Sequence, residues 1–225
     1  MFKNIVLRAS LVALAGAAPS AATIYTITYA GTISGVVQQG AAGPASAIHD
    51  GQSFLTRYTI DTGLGLRTTS SPVDEVAGGP ATGLTLPVTT AFFVDGVRQS
   101  AFTTTPYASA HLDAGSFDLT SAIANFSSTS STFYGLYTST ALSNQPVDLD
   151  IQPHGFAASA SSGRYISYAF NAVTGTYDSL ELGQLDIASV AVNSLVPEPA
   201  TWVLLITGFG LAGTAARRRR RLVAD

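Results

Sequence analysis

Three histidines, His49, His111 and His154, are the side chains best suited to acid–base chemistry near neutral pH. Each has an acid close by in the chain, Asp50, Asp113 and Asp150 respectively. A Ser-His-Asp hydrolase needs one such pair and a serine held on a sharp strand-to-helix turn, yet no G-x-S-x-G elbow occurs. With 22 serines between residues 23 and 196, some Ser near some His arises by chance. No catalytic residue is assigned. The densest constellation is Val147-Asp148-Leu149-Asp150-Ile151-Gln152-Pro153-His154. If residues 147–152 form a strand, alternation puts Asp148, Asp150 and Gln152 on one face, where two carboxylates suit Ca²⁺ or, with His154, a transition metal. The favoured reading is plainer: this is the solvent face of a strand whose Val147, Leu149 and Ile151 point inward. Pro153 breaks the register before His154 joins the row, and no D-x-D-x-D-G loop exists elsewhere, so neither metal nor cofactor is expected. Gly63-Leu64-Gly65 lacks the third glycine and the following helix of a phosphate loop. Tyr134, Tyr137, Tyr165 and Tyr168 are a candidate row for stacking on sugar rings, although most aromatics must fill a core that has no Trp before Trp202. Asn125-Phe126-Ser127 fits the N-glycosylation pattern.

Charge narrows the partners. The chain has 225 residues, 46% hydrophobic and 11% charged, with a net charge of −3 and a mean hydropathy of +0.30. Residues 23–196 hold four arginines, no lysine and twelve acids, a formal balance of −8. A body this acidic repels phosphate backbones, so no nucleic-acid partner is expected. Zero cysteines exclude a disulfide framework, a Cys nucleophile and a Cys-based zinc site.

The elements that must position these residues read as strands. Twenty-two Ser and 23 Thr in residues 23–196 favour strands and turns over helices. Tyr25, Ile27, Tyr29 and Ile33 share one face of the opening segment, and Phe54, Tyr58 and Ile60 alternate with Leu55, Arg57 and Thr59 up to Asp61-Thr62-Gly63. The run VTTAFFVDGVRQ reads as a hairpin with Asp95-Gly96 at its tip, because a type I′ turn needs positive φ. Further strands are expected at 110–119, 147–152, 164–170, 174–182 and 185–192, with long loops at 61–83 and 125–132. The expected fold class is all-β, an antiparallel β-sandwich or jelly-roll-like domain, with a barrel as the alternative.

The two ends carry a different signal. MFKNIVLR is basic and ASLVALAGAA is apolar and ends in small residues, the layout of a secretory signal peptide. Ser20-Ala21-Ala22 places cleavage by signal peptidase after Ala22. At the other end 17 residues, 200–216, carry no formal charge. As a helix they are about 25 Å long, at the lower limit for crossing a bilayer core. Pro197 and Pro199 fix the start of this transmembrane helix, Trp202 falls at interfacial depth, and Arg217, Arg218, Arg219, Arg220 and Arg221 hold its far end in the cytoplasm. The organisation is therefore a signal peptide over 1–22, an exported β-rich domain over 23–196 and a sorting segment over 197–225.

Pro197-Glu198-Pro199-Ala200-Thr201-Trp202, then an apolar stretch containing Gly208-Phe209-Gly210, then five arginines, resembles the PEP-CTERM sorting signal. The resemblance covers about the last 30 residues. It implies that an exosortase, a membrane peptidase of Gram-negative bacteria that export polysaccharide, recognises Pro197, Glu198 and Pro199, with residues 202–216 as temporary anchor and Arg217–Arg221 as retention signal. It also implies release to the cell surface or exopolysaccharide matrix, with extracellular polysaccharide as a partner. The expected function is that of a non-enzymatic exported protein. A secreted hydrolase and a carbohydrate- or Ca²⁺-binding adhesion module are the alternatives.

Overall fold

The computed structural model describes residues 23–40, 48–99, 107–113, 115–126, 128–142, 148–150, 156–194 and 209. Eleven strands follow in chain order: β1 (Ile24–Gly40), β2 (Ser53–Asp61), β3 (Leu66–Ser70), β4 (Val73–Gly78), β5 (Val88–Val94), β6 (Val97–Arg98), β7 (Tyr107–Asp113), β8 (Ser116–Phe126), β9 (Ser130–Leu142), β10 (Phe156–Asn171) and β11 (Thr176–Ser194). All belong to one antiparallel sheet ordered β3-β4-β7-β8-β9-β10-β11-β1-β2-β5-β6. The expected all-β antiparallel class holds. The hydrogen bonding runs through one continuous sheet, where a sandwich divides its strands between two. The sheet curls on itself: Phe92 on β5 meets Tyr165 on β10 across the interior, with ring centroids 6.1 Å apart.

Alternation builds the core. Tyr25, Ile27, Tyr29 and Ile33 of β1, Phe54, Tyr58 and Ile60 of β2, and Val88, Phe92 and Val94 of β5 all turn inward and are buried. They join Leu119 of β8, Leu136 of β9 and Leu185 of β11 in one cluster. The Asp95-Gly96 turn is of the expected type, with φ of 47° and 78°. Asp95 also braces the start of β2. Its carboxylate accepts from the Ser53 backbone N–H and hydroxyl, both at 2.9 Å, and from Gln52 Nε2. These bonds hold its carboxyl below the usual range.

Several boundaries differ from expectation. Residues 61–83 are not a long loop, because β3 and β4 pair there from Leu66↔Ala77 to Ser70↔Val73 and a 3-10 turn follows at Pro80–Thr82. Thr68, Thr69, Val73 and Val76 are β-branched, and that stiffness outweighs the turn-forming Gly, Ser and Pro around them. The 110–119 strand is a hairpin, β7–β8, turning at Gly115 with φ of 101°. The loop expected at 125–132 is short, since β8 runs to Phe126 and β9 starts at Ser130. The strands expected at 174–182 and 185–192 are one strand, β11, which passes Gly183 without a break; the Tyr165 ring lies over that glycine, where a side chain would collide with it.

Candidate functional site

The start of β1 and the end of β11 are paired, Tyr25 with Ser194, so both ends of the strand system emerge at one end of the sheet. Four polar side chains, Thr62, Arg67, Asp74 and Asp150, meet there. Arg67 on β3 donates from Nε to Asp74 Oδ1 at 3.0 Å and from Nη2 to Asp74 Oδ2 at 2.7 Å. Its Nη1 reaches Asp150 Oδ2 at 2.6 Å. The same Asp74 Oδ2 accepts from the Leu149 backbone N–H at 2.7 Å. Thr62 donates to Asp150 Oδ1 at 2.6 Å and accepts from the Thr23 backbone N–H at 2.9 Å. A planar guanidinium is the group that can hold two carboxylates in fixed directions. Their bonds and charges push the Arg67 pKa further up. The Tyr25 hydroxyl lies buried beside the cluster with no hydrogen-bond partner. Its pKa is pushed far up, first by burial and then by the charges of Asp150 and Asp74.

This arrangement corrects the reading of the acidic constellation. Residues 148–150 form a turn, not a strand, and Asp148 Oδ1 accepts the Asp150 backbone N–H at 3.0 Å. Leu149 does point inward and is fully buried. Asp150 is turned to Arg67 and Thr62, not to a shared metal face. Val147, Ile151, Gln152, Pro153 and His154 lie outside the described residues. Among the described residues no group of three or more His, Cys, Asp or Glu is placed to hold a metal ion.

A second buried acid sits toward the other end of the sheet. Glu181 on β11 faces Gln38 across the β1–β11 pair and is only 4% exposed. The Tyr165 hydroxyl donates to its Oε1 at 3.2 Å. Burial pushes the Glu181 carboxyl up to about 7, against the opposing pull of its bonds from Tyr165 and Gln38. Nearby, a hollow of about 250 Å³ is lined by Val36, Gln38, His49 and Asp50. Asp50 Oδ1 accepts the Val36 backbone N–H at 2.8 Å, so this acid ties down a loop and is not aimed at His49.

The third histidine–acid pair also changes partner. His111 Nδ1 lies 3.5 Å from Glu75 on β4 and pairs in register with Asp118 on β8, which in turn pairs with Ser139 on β9. Asp118 thus stands between Ser139 and His111, whereas a hydrolytic triad needs the histidine next to the serine. The proposed tyrosine row is split. Tyr165 is fully buried, Tyr134 packs against the core, and Tyr137 lies under the Arg164 guanidinium at 5.5 Å. Tyr168 instead stacks on Phe133, with centroids 5.2 Å apart at 14°, and meets the Tyr177 edge at 5.5 Å. At that spacing two near-parallel rings cover each other's faces, so they do not offer a flat platform for a sugar. Asn125 lies in β8 and Ser127 outside the described residues.

Sequence reasoning missed Arg67, Asp74, Thr62 and Glu181. The signal available was scarcity, since four arginines serve twelve acids in a lysine-free body. The sorting residues Pro197, Glu198, Pro199, Trp202 and Arg217–Arg221 lie outside the described residues, as does the signal peptide. Among the described residues no helix is long and apolar enough to cross a membrane.

Compared with known protein families, residues 195–221 match the PEP-CTERM protein-sorting motif. No curated protein and no solved structure matches the chain. The motif implies exosortase-dependent sorting of an exported protein, with transient anchoring through the C-terminus.

Proposed function

We propose that the chain is a non-enzymatic exported protein whose β-rich body is delivered to the cell surface or exopolysaccharide matrix by C-terminal sorting. Signal peptidase removes residues 1–22, and the body crosses the inner membrane. The apolar segment 200–216 then stops in the bilayer, held by Arg217–Arg221, because each arginine resists translocation by about 2.5–3.5 kcal/mol at the membrane centre. An exosortase reads Pro197-Glu198-Pro199 and cuts the chain free. The observation that carries this reading is the sorting-motif match, which begins at residue 195, directly after β11 ends at Ser194. Sorting information is therefore appended to the body and does not interrupt its strands.

Among the described residues the side-chain geometry favours a non-enzymatic body over a hydrolase, since His111 faces Glu75 and Asp118 while Asp50 caps a backbone amide. It also weighs against a Ca²⁺ module at 148–150, where Arg67 occupies Asp150. Replacing Pro197, Glu198 and Pro199 together by alanine tests the sorting step. The expected outcome is an intact precursor that accumulates in the inner membrane. A variant that still reaches the surface in shortened form contradicts it. Serine in place of all five arginines is expected to weaken retention instead.

A further inference from the structure

We propose that the α-ammonium created at Thr23 by cleavage after Ala22 docks on Thr62 and Asp150 and supplies the second positive charge of the Arg67 cluster. Signal-peptide removal and final stabilisation of the body are then one event. This rests on the export reading above. In the cleavage, water adds across the Ala22–Thr23 amide, the carboxylate leaves with Ala22, and the Thr23 nitrogen takes up a proton.

The receptor for that nitrogen is already built. Thr23 N donates to Thr62 Oγ1 at 2.9 Å, and Thr62 Oγ1 donates to Asp150 Oδ1 at 2.6 Å, so the nitrogen and the carboxylate are at most 5.5 Å apart. Thr23 is gripped from both sides as well: its hydroxyl donates to the Asp150 carbonyl at 3.2 Å, and its carbonyl accepts the Thr62 backbone N–H at 3.2 Å. The surroundings are poorly hydrated, with Thr62 5% exposed and the Asp74 and Asp150 side chains 4% and 13% exposed. Among the described residues two carboxylates share one guanidinium there, a formal balance of −1. A cation within about 4–6 Å of a carboxylate is favoured in its charged form, the more so with water largely excluded. An amide N–H at Thr23 provides one donor and no charge, while an ammonium provides three donors and the charge. Among the described residues the ionisable groups around it are Asp150 and Asp148 in the turn, Asp74 on β4, Arg67 on β3, Asp61 on β2 and Tyr25 on β1.

The sequence supplies a clean test. The only lysine is Lys3, in the segment removed, so the mature chain has one amine, its own N-terminus. The processed full-length protein recovered from cells is treated with an acetylating N-hydroxysuccinimide ester, with and without urea, and followed by intact mass. The expected result is a mass that starts at Thr23, acetylation slowed about tenfold or more in the folded protein, and a lower Tm once acetylated. Each unit by which the amine pKa rises removes about tenfold of its reactive form. Thr62→Val is expected to restore most of the reactivity. A chain that starts at Thr23 but reacts equally fast folded and unfolded, with Tm unchanged, overturns the docking and leaves export intact. A chain that starts elsewhere overturns the cleavage site and the docking with it. The wild-type comparison decides the matter even if Thr62→Val does not fold.

Discussion

Toward its two ends the same sheet buries a carboxylate by opposite means. By the start of β1 and the end of β11 Asp74 is buried against a bidentate arginine, and toward the far end Glu181, as deeply buried, faces a phenol and an amide. The two sites lie by opposite ends of β1, at Thr23 and Gln38, beyond the roughly 10 Å within which substitutions couple, so they respond independently. The contrast teaches what burial demands of an acid: a countercharge, or a proton. The first solution is an ion pair, and the second makes the far end responsive near neutrality.

The largest effect is expected from removing the countercharge. Arg67→Leu removes the guanidinium that both Asp74 and Asp150 bond, and loss of one partner of a buried pair costs about 3–5 kcal/mol. Urea denaturation of the variant measures it. A loss below about 1 kcal/mol means that the cluster behaves like an exposed surface pair, and the comparison collapses.

A smaller effect, of order 1 kcal/mol once partial solvent screening is allowed for, is expected from Glu181→Gln. The folded-state pKa of about 7 lies above the ordinary 4.5, so the folded state binds the proton more tightly. The contribution of Glu181 is therefore fully present below about pH 4.5 and is lost as pH rises through about 7. Wild type is expected to lose stability across that window, and the variant to lose less and to be the more stable above it. Parallel pH profiles for the two proteins contradict this assignment.

The smallest expected effect is none: Ca²⁺ leaves the Tm of the protein unchanged, because Asp150 is taken by Arg67 and Thr62. A saturable rise abolished by Asp148→Ala gives the turn a metal-binding role after all.

What the sequence made legible divides along physical lines. Period-two alternation exposed the inward faces of β1 and β2 because each strand has one wet and one dry side, and Asp95-Gly96 identified its hairpin because few residues accept positive φ. The β3–β4 pair was hidden by its composition, since Thr and Ser serve both turns and strands and only pairing with β7 decides between them. The sheet order was illegible for a related reason. β2 skips the β3–β4 pair to join β5, a choice set by how the curled sheet closes its core and not by any local pattern. Alternation misassigned Asp148 and Asp150, since the chain turns there to deliver Asp150 to an arginine 83 residues away. By contrast the sorting segment announces itself locally, as its recognition depends on a short motif, an apolar length and a charge cluster in fixed order.

The central claim is that the body is sorted through its C-terminus and parted from it. Mass spectrometry of the surface-exposed or released protein tests it most directly. The predicted result is a chain that lacks the peptide from Trp202 to Arg217. If that peptide is still covalently attached, residues 200–216 are a permanent anchor and the account of C-terminal processing is wrong.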